Sequence, residues 1–205
     1  MHVLIILDHP YGATADQNEP RHRSLVAAMV RAARDGLDRA GHTHEVTDLA
    51  AIAFDPVLTA DDLRAWRLET EPRPDVAALQ RSLAGADHLV LAHPTWWMSP
   101  PARTKGYLDR VLTPGFAFDE PRPGGALVRR LLRLERVTIL TAMTTPTALY
   151  RTWFGGPSRG ILARGTFQLI GIRRVRFFAI DRSGQRSAAS RARALRRITA
   201  RFAAS

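Results

Sequence analysis

Two hydrophobic periods take turns along the chain. Continuous apolar runs occur at VLIIL (3–7), HLVLA (88–92) and RVTILTA (136–142), and more mixed runs at HEVTDL (44–49) and RVRFFAI (174–180). Short runs rich in Val, Ile and Leu read as strands, and apolar character without alternation implies burial on both faces. Between them the spacing lengthens to three and four residues. Leu25, Met29, Ala33, Leu37 and Ala40 mark one helix, and Ala188, Ala192, Leu195, Ile198 and Phe202 mark another. The first pattern stops at Gly41, which suits a helix C-cap.

Strands separated by helices predict an α/β fold of three layers, a parallel sheet covered on both sides. Five strands in this rhythm suit the order 2-1-3-4-5, in which ligands bind outside the carboxyl ends of the strands. The 205 residues suit one domain, with EPRPGG (120–125) as a surface loop. The absence of cysteine excludes disulfides, thiol nucleophiles and cysteine metal sites, and no metal site is expected. The start MHVLIILDHP has no basic segment and soon reaches Asp8, so neither a signal peptide nor a membrane span is expected, and a cytoplasmic location is.

A net charge of +11 changes the picture, because phosphate binding favours clusters of Lys and Arg. Arginines occur along the whole chain and Lys105 is the only lysine, a bias that points to genome base composition and to a basic surface spread over the molecule. Nucleic acid is therefore an unlikely partner.

Candidate chemistry lies in the segments after strands 1, 3 and 4. After strand 1, DHPYGATADQNEPRHRSL feeds the first helix, whose amino-terminus offers unpaired N–H groups and a partial positive charge. Arg23 and Ser24 stand there as phosphate ligands, or Ser24 merely caps the helix. Neither GxGxxG nor GxxxxGK[ST] is present, which argues against a Rossmann dinucleotide site and a P-loop. After strand 3, HPTWWMSPP stiffens a turn with prolines and sets Trp96, Trp97 and Met98 beside it, a wall that suits a planar ring with polar edges or anchors the loop. After strand 4, TTPTALY brings threonines and Tyr150 to a third edge, where Tyr150 equally suits a surface tyrosine.

These residues resemble the flavodoxin-like NAD(P)H:quinone oxidoreductase family, which includes ancillary flavoproteins of bacterial potassium efflux systems. The matches run in order: His9 and Pro10 after the first strand, FDP at 54–56, DHLVLAHPTWWMSPPARTKGYLDRV, GFAF at 115–118, Thr144 and Thr145, and Tyr150. The resemblance implies a flavodoxin-like fold that holds a flavin, FMN favoured and FAD the alternative. It also implies ping-pong hydride transfer from NADPH or NADH to a quinone or similar acceptor. It places His9, Ser24 and Leu25 at the flavin phosphate and ribityl chain, and Pro94, Thr95, Trp96, Trp97 and Met98 beside the ring at N5 and O4. Thr144, Thr145, Thr147 and Tyr150 fall at the other flavin edge, with Tyr150 and Thr147 as the catalytic candidates that stabilise charge on the reduced ring. Family members are homodimers with the site at the interface, where Phe118 and Trp97 line the substrate pocket.

The chain departs from the family pattern at the longer first loop, at Val26 in place of an asparagine, at Pro146 within TTPT, and in WFGGPSRG (153–160), which lacks a histidine. Proline has no N–H, so one donor to the flavin edge is lost. Two readings of other classes stay open. One is a flavin-binding regulatory subunit with little turnover, and the other is an arginine-rich nucleic-acid binder.

Overall fold

The structure is a computed structural model and describes residues 1–17, 19–68 and 70–205. Its central sheet consists of β1 (His2–Leu7), β2 (Thr43–Asp48), β3 (His88–Pro94), β6 (Arg136–Ala142) and β7 (Arg174–Ile180). All four pairings are parallel and the order is β2-β1-β3-β6-β7, which is 2-1-3-4-5 counted over this sheet alone. β4 (Phe118–Asp119) and β5 (Val128–Arg129) form a separate small hairpin, with EPRPGG in the turns and loop between them.

Side-chain alternation along each strand sorts the core into two layers. Val3, Ile5, Leu7, Val90, Ala92 and Leu140 face α1 (Leu25–Arg39) and α6 (Ala188–Ala203). Leu4, Ile6, Leu89, Leu91, Val137 and Ile139 face α3 (Pro74–Ala84) and α4 (Ala102–Val111), with α2 (Ala60–Leu68) outside them. The inner strand β3 is buried throughout, which is why its sequence is apolar without alternation. α1 ends at Ala40, and Gly41 follows with φ 67°, the left-handed turn-off that glycine takes at least cost.

The FDP segment, a family match outside the site, has a structural explanation. Phe54 of FDP is buried in the core, and Pro56 lies against Gly106 so closely that a Cβ there would overlap its backbone. Arg110, on the same helix as Gly106, donates to the Asp55 carbonyl at 2.8 Å and stacks over Phe54 at 5.3 Å.

The charge is not spread as the sequence suggested. Residues 136–205 carry fourteen arginines against the single acid Asp181, whereas residues 1–135 carry sixteen bases and eighteen acids. The fold places eleven of the first group on β6, β7, α6 and the loops around them, with Arg151 in α5 (Thr147–Thr152) and Arg159 and Arg164 in the helix that follows it.

Candidate active site

Parallel register brings the carboxyl ends of β1, β3 and β6 to one level, with Leu7 beside Ala92 and Pro94 beside Ala142. Each strand then hands the chain to a loop that lines the same edge.

The β3 exit is the most constrained. Trp96 and Ser99 exchange backbone hydrogen bonds of 3.0 and 2.9 Å and close a tight turn whose middle residues are Trp97 and Met98. Both have positive φ, 48° and 62°, a pairing that hairpin turns normally assign to Asn and Gly. For residues with a Cβ this costs about 1–2 kcal/mol each, so the turn persists because its surroundings hold it. Thr95 donates its N–H to the Ala142 carbonyl at 2.9 Å, and its hydroxyl meets that of Thr141 at 2.8 Å. The Met98 carbonyl accepts from the Ser158 hydroxyl at 3.2 Å and from the Tyr150 hydroxyl at 3.5 Å. The Trp97 and Met98 N–H groups have no partner among the described residues, and the Trp97 side chain is 99% exposed against 48% for Trp96. The turn thus presents two free donors and one bare indole ring.

The β6 exit supplies the other wall. Thr144 is exposed and Thr145 half-buried, and α5 (Thr147–Thr152) begins after Pro146. The Thr147 N–H donates to the Asp181 carboxylate at 2.8 Å. Tyr150 is buried, and its hydroxyl accepts the Ser158 N–H at 2.8 Å. Both residues named as catalytic candidates are therefore engaged with protein groups. In this arrangement Tyr150 acts on the site through the Met98 carbonyl, as a strut under the strained turn.

At the β1 exit the long loop is folded, not splayed. Asp48 accepts the Ala13 N–H at 2.7 Å, a 3₁₀ turn follows over Ala13–Gln17, and the Ala15 carbonyl takes the Ser24 N–H at 2.7 Å. The Ser24 hydroxyl accepts from the Ala27 N–H at 3.1 Å, so Ser24 caps α1. The Leu25 and Val26 N–H groups have no partner among the described residues. A cavity of ≈ 390 Å³ opens here, lined by Arg23, Ser24, Leu25 and Arg31 on one side and Gly184 and Arg191 on the other. Its far wall includes Ala188, so the amino-termini of α1 and α6 both border it, a setting that favours an anion near Arg23 and Arg191, since Arg31 is paired with Asp16 at 3.6 Å. His9 is half-buried behind the loop and accepts the Tyr11 N–H at 3.2 Å. Burial pushes its pKa below the ordinary value, against the pull of Asp8 and Asp48. Asp8 itself is committed: its carboxylate accepts both the N–H and the hydroxyl of Thr104 at 2.8 Å, which caps the start of α4.

A family model described as a flavodoxin-like fold matches residues 1–202. The human ribosyldihydronicotinamide dehydrogenase [quinone] is 33% identical over 192 residues, 83% of this chain and 77% of that protein. The chain belongs to the flavodoxin-like NAD(P)H:quinone oxidoreductase family. The uncharacterized NAD(P)H oxidoreductase YcaK of Escherichia coli is 37% identical over 103 residues, and the chain spans about half of its length, 52%. The NAD(P)H:quinone oxidoreductase from Methanothermobacter marburgensis superposes with a TM-score of 0.83 at 25% identity, covering 99% of this chain and 98% of that one.

Against this family the placement of the remaining candidates is uneven. Phe118 does not share the crevice: it lines an apolar groove of ≈ 510 Å³ beside α4, with Leu58, Trp66, Leu108, Ile161 and Leu169. Four groups without a sequence signal of their own belong to the site. Ser158 and Asp181 hold the turn and α5, Asp8 caps α4, and Arg191 reaches the α1 cavity. Ser158 starts a π-helix over Arg159–Gln168, a rare conformation that marks functional sites and has no periodic signature of its own.

A substitution test should separate the two tryptophans. Truncating an aromatic that stacks on a ring costs about 1–3 kcal/mol, so Trp97→Ala should weaken flavin retention roughly 5- to 150-fold, and Trp96→Ala much less. Fluorescence titration of the stripped proteins with FMN reads the difference. Equal loss in both would assign the ring contact to the loop as a whole.

Proposed function

We propose that the chain is a flavin-dependent NAD(P)H oxidoreductase that reduces a quinone or similar small aromatic acceptor by a ping-pong mechanism, with FMN favoured over FAD. The observation that carries this reading is the strained turn at Trp97 and Met98, which stores backbone strain to present two free N–H groups beside an exposed ring. Strain of this kind clusters at ligand sites, where it pre-organises donors. The chemistry a bound flavin would supply is hydride transfer from a nicotinamide to the acceptor.

The chain's own residues fit such a group. The Trp97 and Met98 N–H groups suit the polar edge of the ring, Thr144 and Thr145 the opposite edge, and the arginine-lined α1 cavity a phosphate. Tyr150, Ser158 and Thr95 fix the turn. A second copy of the chain would cover the apolar groove around Trp66, Phe118 and Leu169, which gives Phe118 a route to the partner's pocket and fits a homodimer.

Steady-state kinetics with NAD(P)H and a quinone should give parallel double-reciprocal lines. A flavin ring held against the Trp97–Met98 turn would leave one face open, and hydride transfer needs reacting atoms about 3–3.5 Å apart, so donor and acceptor would use that face in turn. Intersecting lines would contradict a shared face. A second reading has one observation in its favour. Thr147 and Tyr150 are already hydrogen-bonded, which leaves few free groups to stabilise charge, as a flavin-binding regulatory subunit would permit. Tight flavin with negligible turnover would favour it.

A further inference from the structure

We propose that the edge formed by β7 and α6 is a nucleic-acid backbone surface, separate from the crevice. Arg174 and Arg176 share a strand face with Phe178 and Ile180, the face covered by α6. Arg193, Arg197 and Arg201 recur every fourth residue on α6, a row with about 6 Å between successive positions. Arg201 lies over the Phe178 ring at 5.6 Å, which joins the helix row to the strand. All five are exposed, and none has an acidic partner among the described residues.

Charge complementarity calls for a polyanion, and the lack of large exposed hydrophobic side chains here chooses among polyanions. Among the described residues no large hydrophobic side chain beyond Leu169 is exposed, and in the ≈ 400 Å³ cavity that Arg186, Arg197 and Arg201 line between β7 and α6 the apolar members Ile180, Ile198 and Phe202 are buried. α6 spends its apolar side, Ile198 and Phe202, on α1 and the sheet. Binding to a lipid surface draws on buried apolar area as well as charge, and a protein interface needs a desolvated core. Phosphate contacts along a nucleic acid need neither: guanidinium forks and released counterions suffice. The partner that fits is a duplex bound through its phosphates without sequence preference.

The test is fluorescence anisotropy of the purified protein with a random 20-bp DNA duplex across a salt series, beside vesicles of phosphatidylglycerol. Five neutralised phosphates should make affinity fall about 500-fold between 50 and 200 mM salt. The triple variant Arg174→Thr, Arg193→Gln, Arg197→Gln should reduce that fall to about tenfold. None of the three side chains makes a hydrogen bond among the described residues, so thermal stability and quinone reduction should be unchanged. No binding at 50 mM salt, an unchanged salt dependence in the variant, or tighter binding to vesicles than to DNA would each overturn the proposal.

Discussion

Arg110→Ala is expected to destabilise the protein by about 3–5 kcal/mol, the usual cost of breaking a buried ion pair from one side. The Arg110 side chain is 1% exposed and sits where three helices meet the FDP segment. It donates to Asp62 at 3.2 Å, to Asp75 at 3.0 Å and to the Asp55 carbonyl at 2.8 Å. Burial alone would raise the Asp62 pKa. The Thr59 N–H and hydroxyl and the Arg110 guanidinium instead hold it below the ordinary carboxylate range. Removing the guanidinium leaves that carboxylate charged with its chief counter-ion gone. Asp75 is the built-in contrast, since its side chain is 42% exposed and solvent screens its pair. Asp75→Ala should therefore cost about 1 kcal/mol or less. Urea denaturation of both variants gives the comparison, and near-equal midpoints would mean that the network is a surface feature.

Acidification should destabilise the fold well before its carboxylates titrate. His88 is pushed down to about 3, first by burial and then by the nearby charges of Arg136, Arg176 and His42. Its ring stacks on Phe202 at 5.9 Å and meets the Thr138 hydroxyl at 2.8 Å. His93 is shifted in the same direction, by burial that outweighs the Pro94 carbonyl and Asp8. The folded state refuses a proton that the unfolded chain accepts near pH 6.5. Stability is therefore complete above that pH and falls as pH drops towards the folded value. The slope is about 1.4 kcal/mol per pH unit for each such histidine. His88 alone should thus remove on the order of 3 kcal/mol between pH 7 and 4. Asp62, Asp87 and Asp181, all held below the ordinary carboxylate range, add their losses only at lower pH. His88→Phe should flatten the dependence by that amount, whatever its effect at neutral pH, because the slope reports titration and the level reports packing. Denaturant midpoints at several pH values read the slope, and an unchanged slope would place the acid sensitivity elsewhere.

How far the sequence spoke depended on the range of each interaction. The five sheet strands emerge within two residues of their observed ends, the inner β1, β3 and β6 because burial on both faces writes a local apolar run, and the half-exposed edge strands β2 and β7 from more mixed runs. The β4–β5 hairpin, two residues per strand, and the π-helix leave no such run. The turn at 96–99 was visible as prolines and aromatics, but its backbone was not. Trp and Met seldom take positive φ, and what holds them there is Ser158, sixty residues further along. Ser24 shows the reverse case, for its capping role is local and was one of the two readings open from sequence. The FDP segment read as a family mark and proves to be packing: Phe54 and Asp55 meet Arg110, and Pro56 meets Gly106. The clustering of charge was countable from the sequence, but only the fold puts Arg174 and Arg201 on one edge.

Identifying any cofactor released by heat from the purified protein tests the central claim most directly. The donors and ring at Trp97 and Met98, with the cavity at the α1 terminus, should hold one flavin per chain. Chromatography of the supernatant should then show FMN, and the stripped protein should regain a flavin spectrum when FMN is added. FAD in its place would keep the fold and chemistry and change the cofactor. A colourless protein that neither FMN nor FAD reconstitutes would contradict the assignment of this crevice as a flavin site.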